Sequence, residues 1–253
     1  MKITPLILTY NEAPNIARTL AKLTWASDVI IIDSGSSDET ISIAQSCKNV
    51  VIYQRTFDNH AAQWNYGVRC CATQWILALD ADYIVSDELN AELRECQPEI
   101  GISAYYVRFR YCIQGKPLRG SLYPPRAVLF DRDKCYYELD GHTQALRISG
   151  CIKYFKGTID HDDRKSLADW LWAQDRYAML EVKKLNEMTK PELRMVDRVR
   201  AKAILAPAMI FFYILFYKGL IMDGWPGVYY CYQRVMAETI LSMRIIESKM
   251  GIK

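Results

Sequence analysis

The sequence predicts an α/β fold in which a mostly parallel sheet is flanked by helices. Three observations predict it. Short apolar runs alternate with helical patterns through the first 80 residues, in β-α-β-α-β-α-β order. Polar residues gather after three of those runs, on the edge where parallel sheets bind ligands. The composition of the 253 residues, 51% hydrophobic and 24% charged, suits one large domain with an ordinary core, or one domain with an appendage.

The elements follow in order. Residues 3–10 read as a strand. Residues 12–23 read as a helix with Pro14 in its first turn, where a missing N–H costs nothing. Val29–Asp33 is the second strand, 38–47 the second helix and Val50–Gln54 the third strand. Residues 59–71 form the third helix and 75–79 the fourth strand. Ser86 is placed to cap a further helix. Strands follow at 104–113 and 127–130, with a loop at 115–125 between them. Residues 166–186 form a helical pattern whose Trp and Tyr residues read as core. The run 203–217 carries no charge. It falls short of the roughly 20 apolar residues of a spanning helix, and Pro207 interrupts it, so it reads as a buried helix or an interfacial segment.

Charge is uneven along the chain. Residues 1–182 hold 20 basic and 23 acidic residues, a net of −3, whereas 183–253 hold 12 and 6, a net of +6. The basic, apolar tail is either a solvated helical face or a surface facing anionic lipid, where each basic residue adds about 1 kcal/mol. Nucleic acid is not an expected partner. The eight cysteines include no Cys-x-x-Cys pair and read as reduced core residues of a cytosolic protein. The start of the chain runs straight into a strand pattern, without the features of a signal peptide, so a cytoplasmic location is expected.

The chemistry centres on Asp80-Ala81-Asp82. An apolar strand delivers two carboxylates at i and i+2, and at a strand end both can turn toward one ligand. Hard oxygen ligands of this kind hold Mg²⁺ or Mn²⁺ against a diphosphate. Asp33 ends the second strand and is either a base or ribose contact or part of a capping loop. No Gly-x-Gly-x-x-Gly follows the first strand, and no Gly-x-x-x-x-Gly-Lys-Ser/Thr occurs. That argues against a dehydrogenase and a P-loop NTPase, and favours a carboxylate-held metal for binding phosphate.

The motifs Leu8-Thr9-Tyr10-Asn11-Glu12, Ile32-Asp33-Ser34-Gly35-Ser36-Ser37-Asp38, Gln63-Trp64-Asn65 and Leu79-Asp80-Ala81-Asp82 together resemble family 2 glycosyltransferases. Downstream, Arg126-Ala127-Val128-Leu129-Phe130, Gly141-His142, Ile159-Asp160-His161 and Phe216-Tyr217-Lys218-Gly219 with Asp223-Gly224 resemble their lipopolysaccharide-core glucosyltransferase subgroup.

The resemblance implies a Rossmann-like GT-A fold. It also implies a UDP- or similar nucleotide-sugar donor, a divalent metal, Mg²⁺ or Mn²⁺, and a saccharide or glycolipid acceptor. Thr9, Tyr10, Glu12 and Asp33 would contact the nucleoside. Gln63 and Asn65 would border the donor pocket, and Asp80, Ala81 and Asp82 would handle ribose, phosphate and metal. His161 would complete the metal shell, its basicity raised by Asp160, Asp162 and Asp163. Otherwise it is a helix-start histidine beside capping aspartates.

Such enzymes invert the sugar and need a base to deprotonate the acceptor. Asp140 and Glu138 are the candidates, with Asp140 favoured. Arg126 would steady the departing diphosphate or serve as a surface ion-pair residue. The chain departs from the subgroup at Tyr83 and Thr143, where glutamates are usual.

The expected organisation is a catalytic domain over 1–165, with a nucleotide-sugar half at 1–100 and an acceptor half at 101–165. A helical region over 166–253 would bind membrane or a second copy. The competing readings are a nucleotidyltransferase, which lacks its Gly-rich basic loop here, and a non-catalytic nucleotide-sugar binder or partner subunit.

Overall fold

The apolar runs of the first half become strands because both of their faces are covered. In the computed structural model, Ile3, Ile7, Val29, Ile31, Leu77 and Leu79 pack into one core cluster. Their chain neighbours Leu6, Ile30, Ile32, Ile76 and Ala78 pack into a second. Side chains alternate along an extended strand, so a run buried on both sides must be apolar throughout. The structure describes residues 1–140, 143–187, 200 and 205–252, with Asp140 and Thr143 described through their backbone alone. It divides into two units, Met1–Pro117 with Leu122–Arg164, and Leu118–Ser121 with Lys165–Lys253.

The first unit holds strands β1 (Ile3–Thr9), β2 (Val29–Asp33), β3 (Val50–Gln54), β4 (Trp75–Asp80), β5 (Tyr83–Val85) and β6 (Ile102–Ile113). They are followed by β7 (Lys116–Pro117), β8 (Arg126–Asp131), β9 (Cys135–Asp140), β10 (Thr143–Ile148) and β11 (Cys151–His161). Helices α1 (Ile16–Ala21), α2 (Thr40–Gln45), α3 (His60–Cys70) and α4 (Asp87–Glu95) connect them. The main sheet has the order β3-β2-β1-β4-β8-β6-β11-β5, with β7 on β6. The β3-β2-β1-β4 half is parallel, and so is the β6-β11 pair. Strand β8 is antiparallel to β4 and β6, and β5 to β11. Strands β9 and β10 form a separate hairpin. This is the α/β sheet with flanking helices that the sequence predicts.

Two differences matter. Helix α1 starts at Ile16 rather than Glu12, after a turn in which the Asn15 amide donates to the Glu12 carbonyl at 2.9 Å. The Asn15 side chain donates to Glu12 and Asp163 instead of capping the helix. Pro14 therefore lies in the turn before the helix. Ser86 does cap α4, its Oγ accepting from the Leu89 amide at 3.1 Å. Strands β5, β9, β10 and β11, and the short β7 within the expected loop 115–125, have no counterpart in the sequence reading.

The second unit contains α5 (Leu167–Glu187), α6 (Ala206–Phe212), a π-helical turn at Tyr213–Tyr217, a 3₁₀ turn at Leu220–Asp223 and α7 (Trp225–Met250). The expectation of core aromatics in α5 is corrected. Trp172, Met179 and Leu180 are exposed, and Ala178 and Glu181 are the buried residues. Ala178 packs against Leu241 and Ile245 of α7, so a small residue takes the helix contact. Along 206–217 both faces are apolar: Ala206 and Ile214 are buried, whereas Met209, Phe212, Phe216 and Tyr217 are exposed. Residues 203 and 204 of the uncharged run lie outside the described residues. Among the described residues no helix is long and apolar enough to cross a membrane. All eight cysteines are free, but only Cys71, Cys112, Cys135 and Cys231 are buried, and Cys151 is exposed.

Candidate active site

Parallel pairing aligns the strand ends that carry the polar motifs. Thr9 lies opposite Asp33 in the β1–β2 register, and Leu8 lies opposite Asp80 in the β1–β4 register. The carboxyl ends of β1, β2 and β4 therefore share one edge, as the sequence implies.

Asp33 is fully buried. Its Oδ1 accepts from the Thr9 hydroxyl at 2.9 Å and the Ser36 hydroxyl at 2.6 Å. Its Oδ2 accepts from the Gly35 and Ser36 amides, both at 2.9 Å. Four donors fill a carboxylate's four lone-pair sites, so a nucleoside contact at Asp33 requires exchange of one of them. The next loop is latched to the β1 loop as well. Asn11, in the left-handed region at φ 52°, donates its amide to Ser36 Oγ at 2.9 Å and accepts from the Ser37 amide through Oδ1 at 2.9 Å. The Glu12 amide donates to Thr40 Oγ1 at 2.7 Å. Tyr10 stands exposed at this edge.

Gln63 is buried under the same loop. Its Nε2 donates to Ser34 Oγ at 3.0 Å and to the Arg55 carbonyl at 3.2 Å, and its Oε1 accepts from the Arg55 guanidinium. Arg55 in turn pairs with both oxygens of Asp58. Asn65 serves the neighbouring hairpin. Its Nδ2 donates to the Tyr137 carbonyl at 2.8 Å and its Oδ1 accepts from the Tyr137 amide at 3.0 Å.

Asp80 closes β4, and Asp82 sits in the turn before β5. Ala81 between them is buried, its carbonyl accepting from Thr19 Oγ1 at 2.6 Å. Pairing of β11 with β5 sets His161 opposite Tyr83 and delivers His161 Nε2 to 2.8 Å from Asp82 Oδ2. His161 thus ends a strand, which removes the helix-start reading. The rings of Tyr83, Tyr111 and Tyr123 meet its imidazole edge to face, with centroids 5.3, 4.8 and 4.8 Å away.

Burial alone would lower the His161 pKa. The Asp82 charge and hydrogen bond outweigh it, Asp80 and Asp163 add to them, and the pKa is raised. Asp160 and Asp162, which also flank His161, are each engaged by arginine. Asp160 pairs with Arg110 at 2.7 Å, and Asp162 pairs with Arg18 and Arg164 at 2.7 and 2.9 Å.

Asp162 holds this corner together. It is buried, its Oδ1 accepts from the Gly115 amide at 3.0 Å, and its own amide donates to the Asp82 carbonyl at 3.2 Å. Next to His161, the Tyr123 hydroxyl hydrogen-bonds the Tyr83 hydroxyl. Burial, with the Asp80 charge, raises both phenols, so they remain protonated. The Arg126 guanidinium lies 4.4 Å from the Tyr123 ring centroid. Burial alone would lower its pKa, but the surrounding charge, that of Asp80 included, raises it. A permanent cation therefore stands in the field of the Asp80 carboxylate.

On the β9–β10 hairpin, Glu138 accepts from Arg147 Nε at 2.6 Å and from the Tyr136 hydroxyl at 3.0 Å. Both bonds hold its pKa below the usual range, which weakens it as a base. The side chain of Asp140, and Gly141 and His142 altogether, lie outside the described residues.

The structure thus brings together Asp80, Asp82, His161 and Arg126. Thr9, Asp33, Gln63 and Asn65 support the loops and the hairpin. Arg18, Tyr123 and Arg55 were missed. The only signal for Arg18 was its position one helical turn after Pro14, too weak to act on.

The arrangement suits a metal diphosphate. His161 Nδ1 is buried without a hydrogen-bond partner. Such an orphan costs roughly 1–3 kcal/mol, but it is not the nitrogen that meets Asp82, so a cation held at the His161–Asp82 pair would leave it unrelieved. Among the described residues no group of three His, Cys, Asp or Glu side chains converges on one point. A divalent ion at this pair would take its other positions from phosphate and water, as Mg²⁺ commonly does.

The sequence matches the family model for Glycosyl transferase family 2 over residues 6–164. An uncharacterized glycosyltransferase of Rickettsia felis is 36% identical over 93 residues, covering 36% of this chain and 32% of the relative. The lipopolysaccharide core biosynthesis glycosyltransferase LpsC of Rhizobium meliloti is 25% identical over 104 residues, covering 40% and 37%. The O-antigen chain rhamnosyltransferase RfbN of Salmonella typhimurium is 38% identical over 92 residues, covering 34% and 27%. The chain spans about a third of the length of these relatives. Among solved structures, S. aureus TarS 1-349 in complex with UDP-GlcNAc is similar with a TM-score of 0.52 at 12% identity, covering 99% of this chain and 92% of that one. That likeness concerns the fold.

Proposed function

The chain belongs to glycosyl transferase family 2, and from that premise we propose that it is an inverting, metal-dependent hexosyltransferase. It moves a sugar from a nucleotide-sugar, a UDP-hexose, to a cell-envelope or lipid-linked saccharide. The observation that carries the proposal is the meeting of Asp80, Asp82, His161 and Arg126 around the end of β4. In this reading residues 1–165 are the catalytic part, with the donor on 1–100 and the acceptor on 101–165. The names of LpsC and RfbN support a cell-envelope acceptor.

Asp82 and His161 would hold Mg²⁺ or Mn²⁺, and the ion would neutralise the diphosphate. Asp80 faces the ribose and phosphates, beside Ala81. Arg126 steadies the charge that builds on the leaving diphosphate. Thr9, Tyr10, Glu12 and Asp33, with Gln63 behind them, shape the nucleoside pocket. Asn65 fixes the hairpin that bears the base. Asp140 is that base, because Glu138 is engaged by Arg147. The acceptor oxygen attacks the anomeric carbon as its proton passes to the Asp140 carboxylate. The bond from carbon to phosphate oxygen breaks on the opposite face, and the nucleoside diphosphate departs. The enzyme works at the inner face of the cytoplasmic membrane through peripheral contact.

The test is donor turnover with Mg²⁺ or Mn²⁺ across a panel of nucleotide-sugars. Asp82→Ala should lose metal-stimulated turnover and donor binding. Unchanged turnover in that variant would sink the metal role. Absence of any turnover or donor binding by the native chain would sink the transferase reading.

A further inference from the structure

The corner between the π-helical turn and α7 is built to project large apolar side chains. Gly219 and Gly224 both adopt left-handed backbone, at φ 72° and 64°, and so allow two sharp turns that other residues resist. Between them Leu220 is fully buried and anchors the corner. The side chains around this anchor point outward. Phe212, Phe216, Tyr217, Ile221, Met222 and Trp225 are each at least half exposed, Tyr217 at 78% and Trp225 at 85%. Soluble surfaces rarely carry so dense an apolar cluster without a partner.

The charges at the corner fit an anionic partner. Between residues 203 and 224 the charged residues are Lys218 and Asp223. Asp223 is covered, its side chain 10% exposed and bound to the Arg119 amide and Nε at 2.9 and 3.0 Å. Arg119 is 58% exposed on top of it. Lys218 Nζ lies 5.7 Å from the Tyr213 ring. The acid is turned in and the bases border the apolar tip. A tip of Trp, Tyr, Phe, Ile and Met rimmed by Arg and Lys matches the interface of an anionic bilayer, with aromatic rings at headgroup depth.

We infer that the corner 212–225 is the element that docks this chain on a membrane containing anionic phospholipid. The inference deepens the membrane contact of the proposed function and rests on it only for the choice of lipid as occupant. Side chains this exposed project from the surface rather than line a groove. They suit insertion into a deformable layer better than a flat, self-complementary contact with a second copy. Among the described residues no helix is long and apolar enough to span the bilayer. The apolar tip enters the interface, and the two bases give a modest, salt-sensitive addition.

The experiment is flotation of the full chain with vesicles of phosphatidylethanolamine and phosphatidylglycerol at low salt, without donor. The wild type is expected to float. A Met222→Ser, Trp225→Ser double variant should lose vesicle affinity by about tenfold or more. Its melting temperature should stay unchanged, because both side chains lie outside the core. Lys218→Glu should weaken binding less and flatten its salt dependence. The inference is overturned if the wild type ignores these vesicles, or if the double variant floats equally well. It is also overturned if light scattering shows a dimer that the double variant abolishes while flotation is unaffected. A thermal-shift titration with UDP-glucose and Mn²⁺ reads the transferase proposal separately. Flotation without donor binding defeats that proposal and leaves the docking corner standing, and donor binding without flotation does the reverse.

Discussion

His161 Nε2 stands 2.8 Å from Asp82 Oδ2, joining the end of β11 to the turn after β4 across more than 75 residues of chain. Two sheet pairings make the contact, β4 with β1 and β11 with β5. Its removal from either side should leave a folded protein. Asp82→Asn and His161→Ala are each expected to lower metal-stimulated kcat/KM by at least about a hundredfold, the scale of losing one fixed electrostatic contact in a site. Calorimetric titration of Mn²⁺ in the presence of UDP gives a second readout, and both variants should lose the binding heat. A His161→Ala variant that binds Mn²⁺ like the native chain removes His161 from the metal shell.

The Arg18–Asp162 pair should matter for stability. Asp162 is buried and receives Arg18, Arg164 and the Gly115 amide, while its own amide reaches Asp82. Removing one partner of a buried ion pair costs about 3–5 kcal/mol. Arg18 retains 24% side-chain exposure, so it can regain some water. Asp162→Ala is therefore expected to lose about 3 kcal/mol in urea unfolding, the lower end of that range. A loss under about 0.5 kcal/mol, the size of a surface substitution, would contradict the clamp.

Asn65 imitates a strand edge, meeting both backbone groups of Tyr137. In Asn65→Ala the Tyr137 N–H and C=O lose their partners together. Each bond contributes about 1 kcal/mol, so a loss of about 2 kcal/mol is expected. Proteolysis should speed up within 135–148 and not elsewhere. Uniform acceleration along the chain would mean that Asn65 supports the whole unit rather than the hairpin.

The parallel half of the sheet was legible because its signal is local. The runs at β1, β2 and β4 are apolar on both faces and end in Asp, Ser or Asn, and each fact is visible within a few residues. Strand β11 was hidden for a physical reason. Lys153, Lys156 and Gly157 interrupt its apolar positions, and its register with β6 shifts between Tyr154 and Thr158. Gly157 is required there because a Cβ would fall 2.4 Å from the Leu89 amide nitrogen. Missing β11 left His161 without a place, so its flanking aspartates were credited with an effect that belongs mainly to Asp82. Asp33 had two readings from sequence, ligand contact and loop capping. The structure shows the second in full, with four donors on one carboxylate, because the partners come from Thr9 and from the loop itself. The aromatics of α5 misled in the opposite direction: helical spacing identifies a face, but Ala178 marks the face that packs.

The cysteines offer a test of burial that needs no substrate. Burial pushes the Cys71 and Cys112 thiols up to about 12 and the Cys135 thiol up to about 11. The thiolate is the reactive form, and at pH 8.5 a thiol near 12 is ionised to less than about one part in a thousand. Cys151, by contrast, is exposed at the start of β11. Pulsed alkylation of the native chain at pH 8.5, read by peptide mass spectrometry, should modify Cys151 first. Cys71, Cys112 and Cys135 should be modified only at the rate of unfolding. Because unfolding limits their labelling, raising the pH by one unit should not give the tenfold acceleration of a native thiol reacting through its thiolate. Urea above the unfolding midpoint should bring all four to similar rates. Labelling of Cys71 in native protein as fast as Cys151 would mean that the loop 71–74, between α3 and β4, opens without global unfolding. The seam below Asp80 would then be mobile rather than fixed.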